Sequence, residues 1–413
     1  MDSAPSTQAG QPPRPWYTSY AGVILLIGVL VNLTTSFLQY APNLTLPAMQ
    51  ASLSLSYTQA GILVTGAWML RVLCSFLAGL LSTRYGSRRL IGLSTLAAGA
   101  SMLLLGGANH FWIALTATCL MGAATGIAII PTMGLLGPWF DSRSRGLAAG
   151  LASAGGSSAF VVAGLAVPAL TSAYLTLGWR YAWALFGLAT VVIGAAALVY
   201  VRERPAGTAA AEPSRGPSWP VEVYRNPLVW LMSFMVFCSG WSQGVFNTFL
   251  GTYLSEENGI DLAVVGRLLI LIGILSIGSG IVWGRVSDWI GRSLAFLCVF
   301  VVQGIGLVLV WLNPIPGAFV IAAVLIGLTH RATFTICAAS AGDFVPLHLS
   351  STAFALMSTG AGSGAMLSPS IAGGLADASG SLQGAFAVAL GGSLGGALGS
   401  AVLYGIMRRS GLR

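Results

Sequence analysis

Gly79-Leu80-Leu81-Ser82-Thr83-Arg84-Tyr85-Gly86-Ser87-Arg88-Arg89 and Gly284-Arg285-Val286-Ser287-Asp288-Trp289-Ile290-Gly291-Arg292 are two copies of one short pattern. In each, a glycine, a polar turn and a second glycine lead into arginine. Each copy closes an apolar run of the length that crosses a hydrocarbon core, about 20 residues. The first copy follows the second such run of the chain and the second copy follows the eighth. That spacing reads as a parallel repeat of six spans. A repeat of this kind points to a two-lobed membrane protein with its site between the lobes, near the middle of the bilayer.

Working outward from the loops gives twelve runs, at 19–40, 57–81, 89–109, 111–138, 145–173 and 181–201, then 227–254, 262–287, 293–312, 317–341, 350–375 and 384–407. The expected fold is all-α and integral to the membrane, with twelve transmembrane helices in two six-helix pseudo-symmetric lobes. The expected division is a cytoplasmic tail 1–18, a lobe 19–201, a cytoplasmic linker 202–226, a lobe 227–407 and a tail 408–413. The linker is the one long polar interruption, with Arg202, Glu203, Arg204, Pro205, Pro213, Arg215, Pro217 and Pro220, and reads as flexible. Glycines spaced by four, Gly391, Gly395 and Gly399, suit close helix contact.

Composition agrees. Of 413 residues 55% are hydrophobic and 7% charged, where soluble domains carry about 25% charged residues. Cys74, Cys119, Cys238, Cys298 and Cys337 all lie in apolar runs without a CxxC pair, so neither a disulfide framework nor a cysteine metal site is expected. Residues 1–17 are polar and Pro-rich, with no cleavable signal, and the first apolar run is expected to be retained. With the amino terminus placed in the cytoplasm, the inner loops hold Arg84, Arg88, Arg89, Arg143, Arg145, Arg202, Arg204, Arg285, Arg292, Arg408 and Arg409, and the outer loops only Arg180 and Arg267. The asymmetry follows the positive-inside rule and puts both termini in the cytoplasm.

Two arginines break the apolar pattern. Arg71 lies 14 residues from Tyr57 and 12 from Thr83, roughly 20 Å from either end at 1.5 Å per residue. Arg331 is equally deep in the run 317–341, beside His330, and by repeat alignment takes the place of Gly126. No Asp or Glu falls at mid-depth in any run. A charge at this depth faces a bundle interior or a water-filled cavity and serves function. A guanidinium fork matches a carboxylate or similar oxyanion, so the two are candidate substrate-binding residues. Helices one and seven, equivalent in the repeat, carry Asn32, Thr35 and Gln39, and Gln243 and Asn247, at three- or four-residue spacing. Each set lies on one helix face. Substrate contact and interhelical hydrogen bonding are both open to them. His330 is the candidate proton carrier, although a second cation beside Arg331 is costly, and a packed, neutral histidine is the competing reading. Asp141, Asp343, Asp261 and Asp377 lie at helix ends and read as loop contacts rather than coupling acids. No phosphate-cradling loop, zinc spacing or catalytic triad is present, so no enzyme activity, cofactor, metal or nucleic-acid partner is expected.

The paired loops resemble motif A of the major facilitator superfamily, G-x-x-x-D-x-x-G-R-[RK]. The second copy fits with Gly284, Asp288, Gly291 and Arg292, while the first has Thr83 in place of Asp. The resemblance implies a conformational latch built from Gly79, Arg84, Gly86, Gly284, Asp288, Gly291 and Arg292, with its amino-terminal half altered. Pro138–Gly156 looks like the helix four-to-five signature of monocarboxylate and oxalate/formate porters. Met69–Phe76 is similar to the second-helix arginine segment of nitrate/nitrite porters, but helix eight here has no mid-depth arginine. The Arg-x-x-x-Gly element of proton-linked drug exporters is missing, since Thr118 precedes Gly122. The resemblance and the arginines together imply a secondary active transporter in a bacterial inner membrane. It would move a small organic anion, a mono- or dicarboxylate, by alternating access as a monomer with proton coupling. The alternatives are anion exchange, an inorganic oxyanion porter, a drug or metabolite exporter, and a transporter-like protein that does not transport.

Overall fold

The computed structural model describes residues 20–140, 142–203, 221–313, 315, 317–341, 343, 345 and 349–409, without the side chains of 79, 80, 83, 137, 138, 142–146, 350 and 351. The expected tail 1–18, most of the linker, Asp141 and the last four residues lie outside the described residues. Among those described, every element is helical.

The first lobe contains α1 (Tyr20–Thr35), α2 (Phe37–Tyr40), α3 (Pro42–Leu53), α4 (Tyr57–Tyr85), α5 (Ser87–Gly106), α6 (Phe111–Trp139), α7 (Ser142–Tyr174) and α8 (Gly178–Tyr200). After a short α9 (Val221–Arg225), the second holds α10 (Pro227–Thr252), α11 (Leu262–Ile290), α12 (Arg292–Leu312), α13 (Ala318–Thr329), α14 (Ala332–Ser340), α15 (Ser350–Ser379) and α16 (Gln383–Arg409). These make twelve passages, because α1 to α3 continue one another and so do α13 and α14. Ten stretches among the described residues are long and apolar enough to cross a membrane; one of them, Leu147–Tyr200, covers two passages, so they account for eleven, and the more polar α15 is the twelfth. Large apolar side chains such as Leu93, Leu165, Val192, Ile281 and Leu398 cover the outside of the bundle, as a lipid solvent requires.

The repeated loops turn in one residue each. Gly86 separates α4 from α5 at φ +82° and Gly291 separates α11 from α12 at φ +88°. A side chain is strained at that φ, which is why the repeat keeps glycine there.

Three expectations shift in detail. The first run is longer than 19–40: it reaches Leu53 and is broken at Ser36 and Ala41. Pro42 cannot donate to the helix before it and starts α3 at its first turn instead. The run 317–341 is broken at His330 and Arg331, between α13 and α14. Part of the expected linker, Val221–Arg225, is helical.

The lobes meet along matched seams. α4, the second passage, packs on α15, the eleventh, and α7, the fifth, packs on α11, the eighth; α3 crosses α10. Close approach needs small residues. A Cβ at Gly164 would lie 2.6 Å from the carbonyl oxygen of Gly266, and one at Gly266 would lie 2.5 Å from that of Gly164. The hydrogen bonds that join the lobes lie at one end of the bundle or at its middle. At the end, Asp377 accepts from the backbone N–H of Tyr57 (2.9 Å) and of Thr58 (2.8 Å). Asn43 Oδ1 accepts from the N–H of Gly251 at 3.1 Å. Thr65 Oγ1 donates to the Met366 carbonyl at 2.6 Å and meets Ser370 Oγ at the same distance. This is the end that the charge asymmetry assigns to the outside.

Candidate functional site

The two breaks face each other across the middle of the bundle. At the second, the polar groups released by the missing turn find partners on other helices. The N–H of Arg331 donates to Ser279 Oγ of α11 at 3.2 Å, and the carbonyl of His330 accepts from Gln243 Nε2 of α10 at 3.2 Å. Irregular backbone at this depth is tolerated only with such partners. The break turns the Arg331 side chain across the seam between the lobes. Its Nε donates to Ser157 Oγ of α7 at 3.2 Å. Its Nη2 reaches the bare face of Gly156, where a Cβ would sit 2.7 Å from Nη2 and 2.9 Å from Ser36 Oγ. Ser36 is the residue at the first break.

Arg71 comes from the middle of α4 in the opposite lobe, with its Cζ 4.9 Å from the centroid of the Trp68 ring. Its Nη1 is buried without a hydrogen-bond partner among the described residues. Arg71 is within electrostatic range of both Tyr40 and Arg331. Gly126 of α6 backs it, for a Cβ there would collide with the Arg71 carbonyl. The repeat-equivalent positions, Gly126 and Arg331, thus have different tasks: one lets α4 approach and the other supplies the second charge. Among the described residues the only ion pairs are those of Arg292, so neither mid-depth arginine has an acidic partner.

An aromatic group closes the site on the side of Asp377. Tyr40 and Phe160 stack with centroids 3.8 Å apart, and the His330 ring stands edge-on to both, at 5.7 and 5.2 Å. Tyr40 is 1% exposed and His330 3%. Tyr40 Oη and both ring nitrogens of His330 have no partner among the described residues, and neither has Asn247 Oδ1. Buried polar groups are nearly always paired, so this concentration of free ones marks a place built for more than packing.

The structure thus brings Arg71, Arg331, His330 and Gln243 to one place. Asn247 lies one helical turn beyond Gln243. The helix-one set is divided. Asn32 donates to the Gly28 carbonyl at 3.0 Å, and Thr35 donates to the Val31 carbonyl at 2.8 Å, so both serve their own helix. Gln39 is half-buried. Sequence reading did not single out Ser36, Gly156, Ser157, Trp68, Phe160 or Ser279. The only signal for the first group was a small polar stretch in mid-span, Gly155-Gly156-Ser157-Ser158.

The latch residues divide by lobe. In the second, Arg292 pairs with Asp288 at 2.6 Å and with Asp343 at 3.2 Å, and donates to Ser287 Oγ. Asp343 therefore ties the end of α14 to the turn at Gly291. In the first lobe, Arg84 is exposed over the Tyr85 ring, and Glu203, past the end of α8, lies against Gly86.

A family model described as Major Facilitator Superfamily matches residues 25–237 and 232–411. The chain is 24% identical to a hexuronate transporter of Bacillus subtilis (strain 168) over 66% of its own length and 64% of that protein's. It is 23% identical to a probable sulfoacetate transporter of Cupriavidus necator over 81% of this chain and 82% of that one. It is also 23% identical to the membrane sensor protein UhpC of Escherichia coli (strain K12) over 60% of this chain and 59% of that one. The matched stretch is thus less than two thirds of the hexuronate transporter and of the sensor. Among solved structures, a bacterial homologue of the human lysosomal transporter Spinster superposes with a TM-score of 0.72 at 16% identity, covering 97% of this chain and 98% of that one. The nucleoside transporter NupG superposes with a TM-score of 0.75 at 12% identity, covering 92% and 100%.

Proposed function

The chain belongs to the major facilitator superfamily, and from that premise we propose that this multi-pass membrane transporter carries a small organic anion between Arg71 and Arg331. The observation that carries the reading is the pair of mid-depth guanidinium groups, one from each lobe, with no acidic partner among the described residues. Two like charges repel when the lobes approach, and an anion between them converts repulsion into attraction. Binding then favours closure, and closure around a central site is what alternating access needs. Hexuronate and sulfoacetate are both organic anions, which supports the same class for this chain.

The lobes are joined at the end that holds Asp377 and Asn43, so this arrangement is read as open toward the arginine-rich, cytoplasmic end. His330 is the proposed proton carrier, since its two unpartnered nitrogens lie beside the charge that the anion would neutralise. Proton symport is the resulting mechanism, with anion exchange as its rival. The likeness to a membrane sensor protein keeps a sensing role as the second reading. Thermal-shift measurements of the purified protein against carboxylates, sulfonates and phosphates test the anion site. A specific ligand at 100 times its Kd stabilises the fold by about 2.7 kcal/mol. No stabilisation by any of them would remove the reading.

A further inference from the structure

The polar groups at the two arginines form two separate sets. Around Arg331, Ser157 of α7 engages Nε and leaves the terminal nitrogens of the fork free of that bond. Nη2 then converges with Ser36 Oγ on the face of α7 that Gly156 leaves without a side chain, both within 3 Å of where a Cβ would be. The space beside Gly156 is filled by these two groups themselves, so they stand close together, and one oxygen that bridges them can accept from both. Around Arg71, its own Nη1 and, on α2, Tyr40 Oη are buried and have no partner among the described residues. That is a second pair of donors, on α4 and α2. We infer that the substrate is a dianion, with one acidic group on the Gly156 face between Arg331 and Ser36 and the other between Arg71 and Tyr40.

Charge supports the two-ended arrangement. A monoanion would leave one of two half-buried cations uncompensated, and an unpaired charge away from bulk water is costly. A dianion satisfies both forks and balances the two guanidinium charges when the lobes close. The inference rests on the anion reading given above and deepens it from an anion to a molecule with two acidic groups.

The test uses the full-length purified protein at pH 7.5 and matched probes: malonate, succinate and glutarate against propionate, butyrate and valerate. Apparent affinities come from thermal-shift titrations. The expected result is that one dicarboxylate binds about tenfold or more tighter than its monocarboxylate partner, the size of one charge-assisted contact. Gly156→Ala should then abolish that advantage. The added methyl meets only the mobile end of Arg331 and the Ser36 hydroxyl, not backbone, so the fold is expected to survive. Ser36→Ala should lower dicarboxylate affinity in the same sense. If monocarboxylates bind as tightly as their partners, the dianion inference is overturned and the anion reading stands. If Gly156→Ala binds dicarboxylate like the unaltered protein, the placement on α7 is overturned. If no probe of either kind binds, the dianion inference falls, and the anion reading falls with it only when sulfonates and phosphates also fail to stabilise the protein.

Discussion

Arg71 and Arg331 present planar forks of donors, which an ammonium group cannot reproduce. The Arg71 guanidinium lies over the Trp68 ring, and its Nη1 has no hydrogen-bond partner among the described residues. Arg71→Lys keeps the charge and loses the fork, so anion affinity is expected to fall about tenfold or more, the loss of one charged hydrogen bond. Equal anion binding by the lysine variant would reduce Arg71 to a source of positive potential. Among the described residues the His330 ring stacks edge-on to Tyr40 and Phe160 and makes no hydrogen bond, and its backbone carbonyl takes the bond from Gln243. His330→Gln should therefore leave the fold intact and flatten, without abolishing, the dependence of uptake on pH. An unchanged pH profile would exclude it as the proton carrier. The arginines and the histidine were legible in the sequence because charge at mid-depth in an apolar run is costly and stands out. Their partners were not. Ser157, Ser36 and Ser279 are ordinary small residues until the register between lobes brings them to Arg331, and that register is set by contacts distant in sequence.

The broken helices carry the site, and a helix end controls the seam that closes it. The first turn of α4 leaves N–H groups that its own chain cannot satisfy. Ser56 caps the N–H of Gln59 from within the lobe, and Asp377 of α15 takes those of Tyr57 and Thr58 from the other lobe. Burial alone would raise the Asp377 carboxyl, but hydrogen bonds from Thr58, Tyr57 and Ser56 outweigh it and hold the group below the ordinary carboxylate value. A depressed value means that the bond contributes fully above pH about 4 and is lost only in more acidic solution. Closure of this end should therefore not vary between pH 6 and 8. Asp377→Ala removes a cap contributing about 0.5–2 kcal/mol. It should shift the population toward opening at this end, read as a longer distance between spin labels near Tyr57 at the start of α4 and near Asp377 at the end of α15. An unchanged distance distribution would show that apolar and glycine packing alone seals the seam. The break at His330 and Arg331 could not be read from the sequence, which has no proline there. It exists because Gln243 and Ser279 compensate it from other helices. The expected first run ends at residue 40, just before Pro42; what the sequence did not show is that the passage resumes there as α3.

At the scale of the whole molecule, the twelve passages and the two-lobed repeat were legible because lipid imposes a length and a composition on every crossing. The single-residue turns at Gly86 and Gly291 confirm the repeat at the loops that first suggested it. The matched seams, α4 on α15 and α7 on α11, relate the lobes by the same symmetry, and the site departs from that symmetry where Arg331 stands in place of Gly126 and where Arg71 has Ser276 as its counterpart. The departure places one charge in each lobe, and the account stands on it: an anion joins the lobes through Arg71 and Arg331 and is thereby carried. The most direct measurement is uptake of a radiolabelled organic anion, chosen as the best stabiliser in the thermal-shift panel, into proteoliposomes holding the unaltered protein, Arg71→Gln or Arg331→Gln. The account expects saturable uptake by the unaltered protein, faster with an inward proton gradient, and uptake near that of protein-free vesicles for either variant. Undiminished uptake by both variants would contradict it.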